Sequence, residues 1–165
     1  MKEEIIRAIR DMGISFDLIT HPPAHSMDEC RGPAERLGAV MPANLLLRPR
    51  RHETYYLLVC APEARLYTSS VSRQVSSPRL GFASAEEMER VLLCRPGSAS
   101  ALELVYSQAR EVTLLMDRAL MEADRLAFHP GENDASLAMS REDFLTIFLP
   151  RVGKSPIWVD MEVES

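Results

Sequence analysis

A chain of 165 residues, 46% hydrophobic and 26% charged, fits one globular domain over residues 1–165, long enough to bury a core. Its formal net charge of −5 excludes a protein that coats nucleic acid indiscriminately and leaves only a focused basic patch for such a role. The chain has no apolar run of ~18 residues, and its start, MKEEIIRAIRDMG, is amphipathic and carries acidic residues rather than being signal-like, so a cytoplasmic protein with no membrane partner is expected.

In chain order, Ile5, Ile6, Ile9 and Met12 recur at helical spacing before Gly13, which predicts a helix over 2–12. FDLIT reads as a strand. After the rigid HPP turn, Ser26 and Glu29 have capping-box spacing and predict a helix to about Leu37, interrupted by Gly32-Pro33. NLLLR and YYLLVCA, joined by PRRHET, read as a hairpin of buried strands. The Ser-rich YTSSVSRQVSSP carries Val71 and Val75 at helical spacing and is too short to be a linker. Ser84 with Glu87 caps a helix over AEEMERVLL, closed by Pro96-Gly97. EVTLLMD and SLAMS are further strands, Ser140 with Asp143 caps a helix through Phe148, and PIWVD is a last strand. Hairpins mixed with helices, without repeated strand-helix units, predict an α/β chain of α+β type: one mixed, largely antiparallel sheet with peripheral helices, not a doubly wound fold.

Most familiar catalytic patterns are absent: G-x-S-x-G, H-E-x-x-H, G-x-x-x-x-G-K-[ST] and G-x-G-x-x-G do not occur. His21 and His25 stand four apart, but the PPA between them forbids the regular helix that would aim both at one metal, so no metal is expected. Cys30, Cys60 and Cys94 are odd in number, widely spaced and without a C-x-x-C pair, which excludes a disulfide framework and a zinc knuckle and suggests buried, idle thiols. His52 reads as a solvated turn residue, and Met116, Met121 and Met139 as core filler.

HPPAHSMDE after a first helix and strand, PANLLLR with a following strand, RPGSASALEL, and FHPGENDASLAMSREDFLTIF occur in an order that resembles the YbaK/ProX family of aminoacyl-tRNA deacylases. The nearest branch is the one that clears alanine from mischarged prolyl tRNA. The resemblance covers nearly the whole chain and implies that family's fold. It also implies hydrolysis of the ester between a wrong amino acid and the terminal ribose of a tRNA, without metal or organic cofactor. The implied partners are the aminoacylated 3′ end of a tRNA and, as a candidate, an aminoacyl-tRNA synthetase, with no DNA. By the same resemblance, Asn44 matches the asparagine of a Lys-Asn pair, Gly97 the glycine of a pocket turn, and His129 with Asn133 the later His-Pro motif. Gly97, His129 and Asn44 are then the expected catalytic groups, and Ser98, Asn133, Ala43, Ala101 and His21 the expected substrate contacts. Two positions depart from the pattern. Ala43 stands where the family has a phosphate-binding lysine, and the only lysines are Lys2 and Lys154. Ala101 stands where the turn has proline, which predicts a looser loop.

The residues themselves are compatible with ester chemistry. Backbone N–H groups at Gly97 and Ser98 can meet the negative charge that develops on an attacked carbonyl, or the turn is simply a loop after a helix stop. His129 can orient a water or a ribose hydroxyl, or be a satisfied structural histidine. Asn44 can both donate and accept, or merely cap a turn. Arg48, Arg50 and Arg51 concentrate positive charge for tRNA phosphates, or form a solvated hairpin tip. Strand alternation sends positions 43 and 48 to opposite faces, so Arg48 cannot replace the missing ammonium. Two readings stand: a trans-editing deacylase for a small amino acid, selected by steric exclusion, and a catalytically reduced relative that binds a tRNA end, an amino acid or another small ligand. An unrelated structural domain, with no pocket near Gly97 and His129, is the third.

Overall fold

Apolar runs such as YYLLVC carry no polar alternation because their strands are covered on both faces. The computed structural model describes residues 2–163. In chain order these form α1 (Lys2–Asp11), β1 (Asp17–Thr20), α2 (Arg31–Leu37), β2 (Ala43–Pro49), β3 (Tyr55–Cys60) and β4 (Ala64–Arg65). Then come α3 (Thr68–Gln74), β5 (Leu80–Phe82), α4 (Ala85–Leu92), β6 (Val112–Asp117), β7 (Arg125–Phe128) and β8 (Ala135–Ser140). The last elements are α5 (Arg141–Asp143), a π-helical turn (Phe144–Phe148), α6 (Leu149–Arg151), β9 (Ile157–Val159) and β10 (Glu162–Val163).

One sheet has the order β5-β2-β3-β6-β9, antiparallel among β5, β2 and β3 and parallel from β3 through β9. A second, antiparallel sheet has the order β1-β8-β7, and β10 pairs with β4. The mixed, largely antiparallel α+β character is the one predicted, but the strands divide between five-, three- and two-stranded sheets instead of the single sheet expected, because the two larger sheets bury their apolar faces in one shared core. Alternation divides the strands between three apolar clusters. Leu57, Val59, Leu114 and Met116 of the large sheet face Leu126, Phe128, Leu137 and Met139 of the small one, with Ile5 and Ile9 of α1 filling the same core. Each such fully buried Ile or Leu contributes ~1.5–3 kcal/mol. Leu47, Leu58 and Leu115 point the other way, toward Val71 of α3. Ala127 and Ala138 turn outward from the small sheet, toward Leu37 at the end of α2.

The expected helix from Ser26 to Leu37 is shorter than its capping signal suggests. The reciprocal bonds form (Glu29 N–H to Ser26 Oγ, 3.2 Å; His25 N–H to Glu29 Oε2, 2.8 Å), but they close a turn over 26–30. α2 begins only at Arg31, which puts Pro33 in the first turn, where a missing N–H costs least. The capping box at Ser84 and Glu87 opens α4 as predicted. Ser140 accepts from Asp143 N–H at 3.0 Å, yet the following turn is π-helical, with Leu149 N–H reaching Phe144 O. Pro150 lies just beyond: it has no N–H for the Thr146 carbonyl and its ring would crowd it, a conflict the wider turn relieves. Phe144 stacks between Phe128 and Phe148, with ring centroids 5.0 and 5.4 Å away. Among the described residues no helix is long and apolar enough to cross a membrane.

Candidate active site

β5 pairs only with Leu47–Pro49 of β2, so the edge of β2 from Ala43 to Leu46 is left largely uncovered. A cavity of about 320 Å³ opens there, at the small end of the ~300–1,000 Å³ typical of ligand pockets. Its walls are residues 24–27 and Cys30, residues 41–46, the turn around Gly97, Phe82 and Met88, and Phe128 with His129 at the end of β7. Asn44, Ala43, Gly97 and His129, distant in sequence, thus line one space. The Gly97 turn is built locally. Pro96 precedes a glycine at φ +87°, and Ser98 N–H donates to Arg95 O at 3.0 Å, the features of a type II turn. That bond corrects one expectation: Ser98 N–H is held by the turn and cannot meet an oxyanion, which leaves the backbone N–H of Gly97 for that role.

His129 is the cavity's principal acid–base group. Its Nδ1 lies 3.0 Å from Ala135 O, an oxygen that can only accept, so Nδ1 carries the proton and Nε2 the lone pair. Nε2 faces the Cys30 thiol at 3.6 Å. Burial lowers the imidazole's pKa below 6.5, against the opposing bond to Ala135; the ring is neutral at pH 7, as an acceptor for a water or ribose proton must be. Burial also pushes the Cys30 thiol up, so the pair is thiol and imidazole rather than thiolate and imidazolium.

Asn44 is more constrained than a free ribose contact. Its Oδ1 accepts from Ala101 N–H at 2.9 Å and its Nδ2 donates to Pro42 O at 3.1 Å. The side chain therefore staples the loop after Gly97 to β2. Ala101 is fully buried and does not line the cavity. Proline has no N–H, whereas Ala101 supplies the donor that Asn44 holds, a hydrogen bond set against the fixed φ that the missing proline would bring. A capping box at Ser100 and Glu103 fixes the same segment, with Ser100 N–H to Glu103 Oε1 at 2.7 Å. Glu103 is fully buried, and burial raises its pKa to about 9. Its Oε2 lacks a hydrogen-bond partner and lies beside the Cys94 thiol. A neutral carboxyl thus supports the cavity wall.

Other predicted residues lie elsewhere. Asn133, expected to face inward, instead donates to Ala24 O at 3.0 Å while its own carbonyl accepts from Ala24 N–H. It straps down the wall that carries His25 and Met27, and with Ser98 it borders a separate depression. His21 also stays outside: its ring is held by Pro22 O and Ser136 Oγ at 2.8 and 2.7 Å, with its centroid 6.2 Å from that of His129. Arg48, a candidate phosphate contact, is already engaged by Glu87 and by the carbonyls of Pro49 and His52. Arg50 and Arg51 are exposed beyond the far end of β2, roughly 20 Å along the strand from Asn44 at ~3.3 Å per residue. Neither lysine serves the cavity: Lys2 pairs with Asp134 at 3.1 Å, and Lys154 binds the carbonyls of Ala109, Arg110 and Val112.

Cys30, Met41, Phe82 and Met88 also line the cavity, and no motif or spacing in the sequence selects them; His25 and Met27, within the HPPAHSMDE stretch, line it too. Cys30 carries no motif, and Phe82 stands in a three-residue strand too short for a periodic signal.

The fold and this cavity define an editing domain. A family model described as the aminoacyl-tRNA editing domain matches residues 21–147, and the chain belongs to that family. Among its relatives is the prolyl-tRNA editing protein ProX of Acetoanaerobium sticklandii, 25% identical over 143 residues that span 86% of this chain and 87% of that one. The mouse prolyl-tRNA synthetase associated domain-containing protein 1 is 25% identical over 98% of this chain and 97% of its own length. A solved structure of a candidate trans-editing enzyme for prolyl tRNA synthetase superposes with a TM-score of 0.72 at 16% identity, covering 99% of this chain and 98% of that one. At that identity the likeness speaks for fold.

Proposed function

We propose that the chain is a trans-editing deacylase that hydrolyses the ester of a small mischarged amino acid, alanine on tRNA-Pro, with the aminoacylated 3′ end seated over the cavity. The observation that carries this reading is the convergence of Gly97, Asn44 and His129 on one small space. Water attacks the ester carbonyl carbon, the carbonyl oxygen takes up negative charge toward the Gly97 N–H, and the bond to the ribose oxygen breaks. His129 Nε2, once the Cys30 thiol turns aside, accepts a proton from the water or the ribose hydroxyl; the departing ribose oxygen is reprotonated. Asn44 acts by positioning the Gly97 loop. The names of the relatives support prolyl-tRNA as the substrate class and a prolyl-tRNA synthetase as the functional neighbour.

Ala43, and an Asn44 amide engaged at both ends, favour the second reading, a binding protein with reduced turnover. Deacylation of alanyl-tRNA(Pro) and prolyl-tRNA(Pro) separates the two. The deacylase reading expects preferential loss of alanine and a slowing of roughly 100-fold or more in His129→Ala. It is overturned if the native chain gives no turnover while Ala43→Lys gains it.

A further inference from the structure

The cavity lining contains no Lys, Arg, Asp or Glu; its only titratable side chains are His25, Cys30 and His129. The nearest guanidinium on β2, that of Arg48, is taken by Glu87, and both lysines are committed elsewhere. The end of a polyanion therefore finds no strong cation in these walls. It finds apolar surface instead. Phe82 is 66% exposed, the most exposed large apolar side chain among the described residues, and it lines this cavity from the edge strand β5. Met27, 39% exposed, lines it from the 24–30 segment, while the other exposed large apolar residues (Leu18, Tyr67, Met121 and Ile157) do not.

An aromatic face left in water at the mouth of a small polar-floored pocket suits a flat π system, and every nucleobase presents one. A thioether adapts to the edge or face of such a ring. Resting on the deacylase reading above, we infer that Phe82, assisted by Met27, is the subsite for the terminal nucleobase of the aminoacylated RNA, so that this chain holds the terminal nucleoside by stacking rather than by an ion pair. The alanyl group then lies deeper, between Gly97 and His129, and the ribose spans the rim.

The test uses the full chain with 2′(3′)-O-alanyl-adenosine and alanine methyl ester, which share the scissile acyl group and differ in the base. Phe82→Ala lowers the ratio of kcat/KM for alanyl-adenosine over the methyl ester by roughly 5- to 150-fold, the span that one stacked base is worth. The loss falls on KM, and Phe82→Trp restores it. Phe82 is exposed, so an unchanged thermal midpoint confirms that the variant folds. If the native chain hydrolyses neither ester, the deacylase reading fails, and calorimetry with the amide-linked alanyl-aminoadenosine tests stacking by itself through the same factor in Kd. The inference is overturned if Phe82→Ala shifts the ratio or Kd by less than twofold, or if it abolishes binding of a prolyl-tRNA synthetase while leaving both unchanged.

Discussion

Replacing Glu103 with glutamine removes a pH dependence that the core itself creates. The carboxyl is fully buried and its pKa is raised by burial to about 9, against an ordinary value of 4.5. Between those two values the folded chain keeps a proton that the unfolded chain has released. Stability therefore falls as pH rises through this window, at about 1.4 kcal/mol per pH unit from this group. Across pH 6 to 8 that amounts to about 2–3 kcal/mol, a large fraction of a typical ~5–15 kcal/mol total. Glutamine keeps the acceptor for Ser100 N–H, fills nearly the same volume and cannot ionise. Urea unfolding at pH 5, 6, 7 and 8 then gives curves for Glu103→Gln and the parent that lie close at pH 5 and diverge upward, with the variant more stable at pH 8. A constant difference across the series would refute the buried neutral carboxyl, and with it this account of how the loop after Gly97 is held.

Three further outcomes are expected. Ala101→Pro removes the N–H that Asn44 Oδ1 accepts; Ser100 is already extended and proline is tolerated at the start of a helical turn, so the variant loses about 1 kcal/mol in a denaturant titration, and no loss would mean the staple is idle. Burial alone would push the Glu87 carboxyl up, but hydrogen bonds from Ser84, Tyr55 and Arg48 hold it down to about 2. This contribution is present above 4.5 and is lost as pH falls toward 2. The destabilisation by Arg48→Ala accordingly shrinks over that acid range in thermal melts, and a pH-independent penalty would assign Arg48 to packing alone. The lowered pKa of His129 places the acid limb of kcat/KM for alanyl-tRNA below pH 6.5; a limb above 6.5 would remove His129 as the acceptor.

Much of the fold was legible because burial writes a period into the chain. Ile5 and Ile9 at helical spacing, the serine caps at Ser84 and Ser140, and the doubly apolar strands at 44–48 and 55–60 each state their environment locally. Among the elements that escaped notice were β4, β5, β7, β10 and the helical turns after Ala101, which are short and shaped by tertiary contacts. The cavity was legible only through the order of motifs, since no local pattern brings Asn44, Gly97 and His129 together. The fate of individual side chains was not: that Asn133 turns to Ala24, Arg48 to Glu87 and Asn44 to Ala101 depends on which partner lies within ~3 Å in the folded chain, and composition and spacing carry no record of it. Ala101 illustrates the point best, read from sequence as a lost proline and found as a gained donor.

The most direct examination of the central claim is a crystal structure of the chain with amide-linked alanyl-aminoadenosine. The alanyl carbonyl is expected within hydrogen-bond reach of the Gly97 N–H, with His129 Nε2 toward the scissile linkage and the adenine on Phe82. An alanyl group bound outside the space bounded by Asn44, Gly97 and His129 would contradict it.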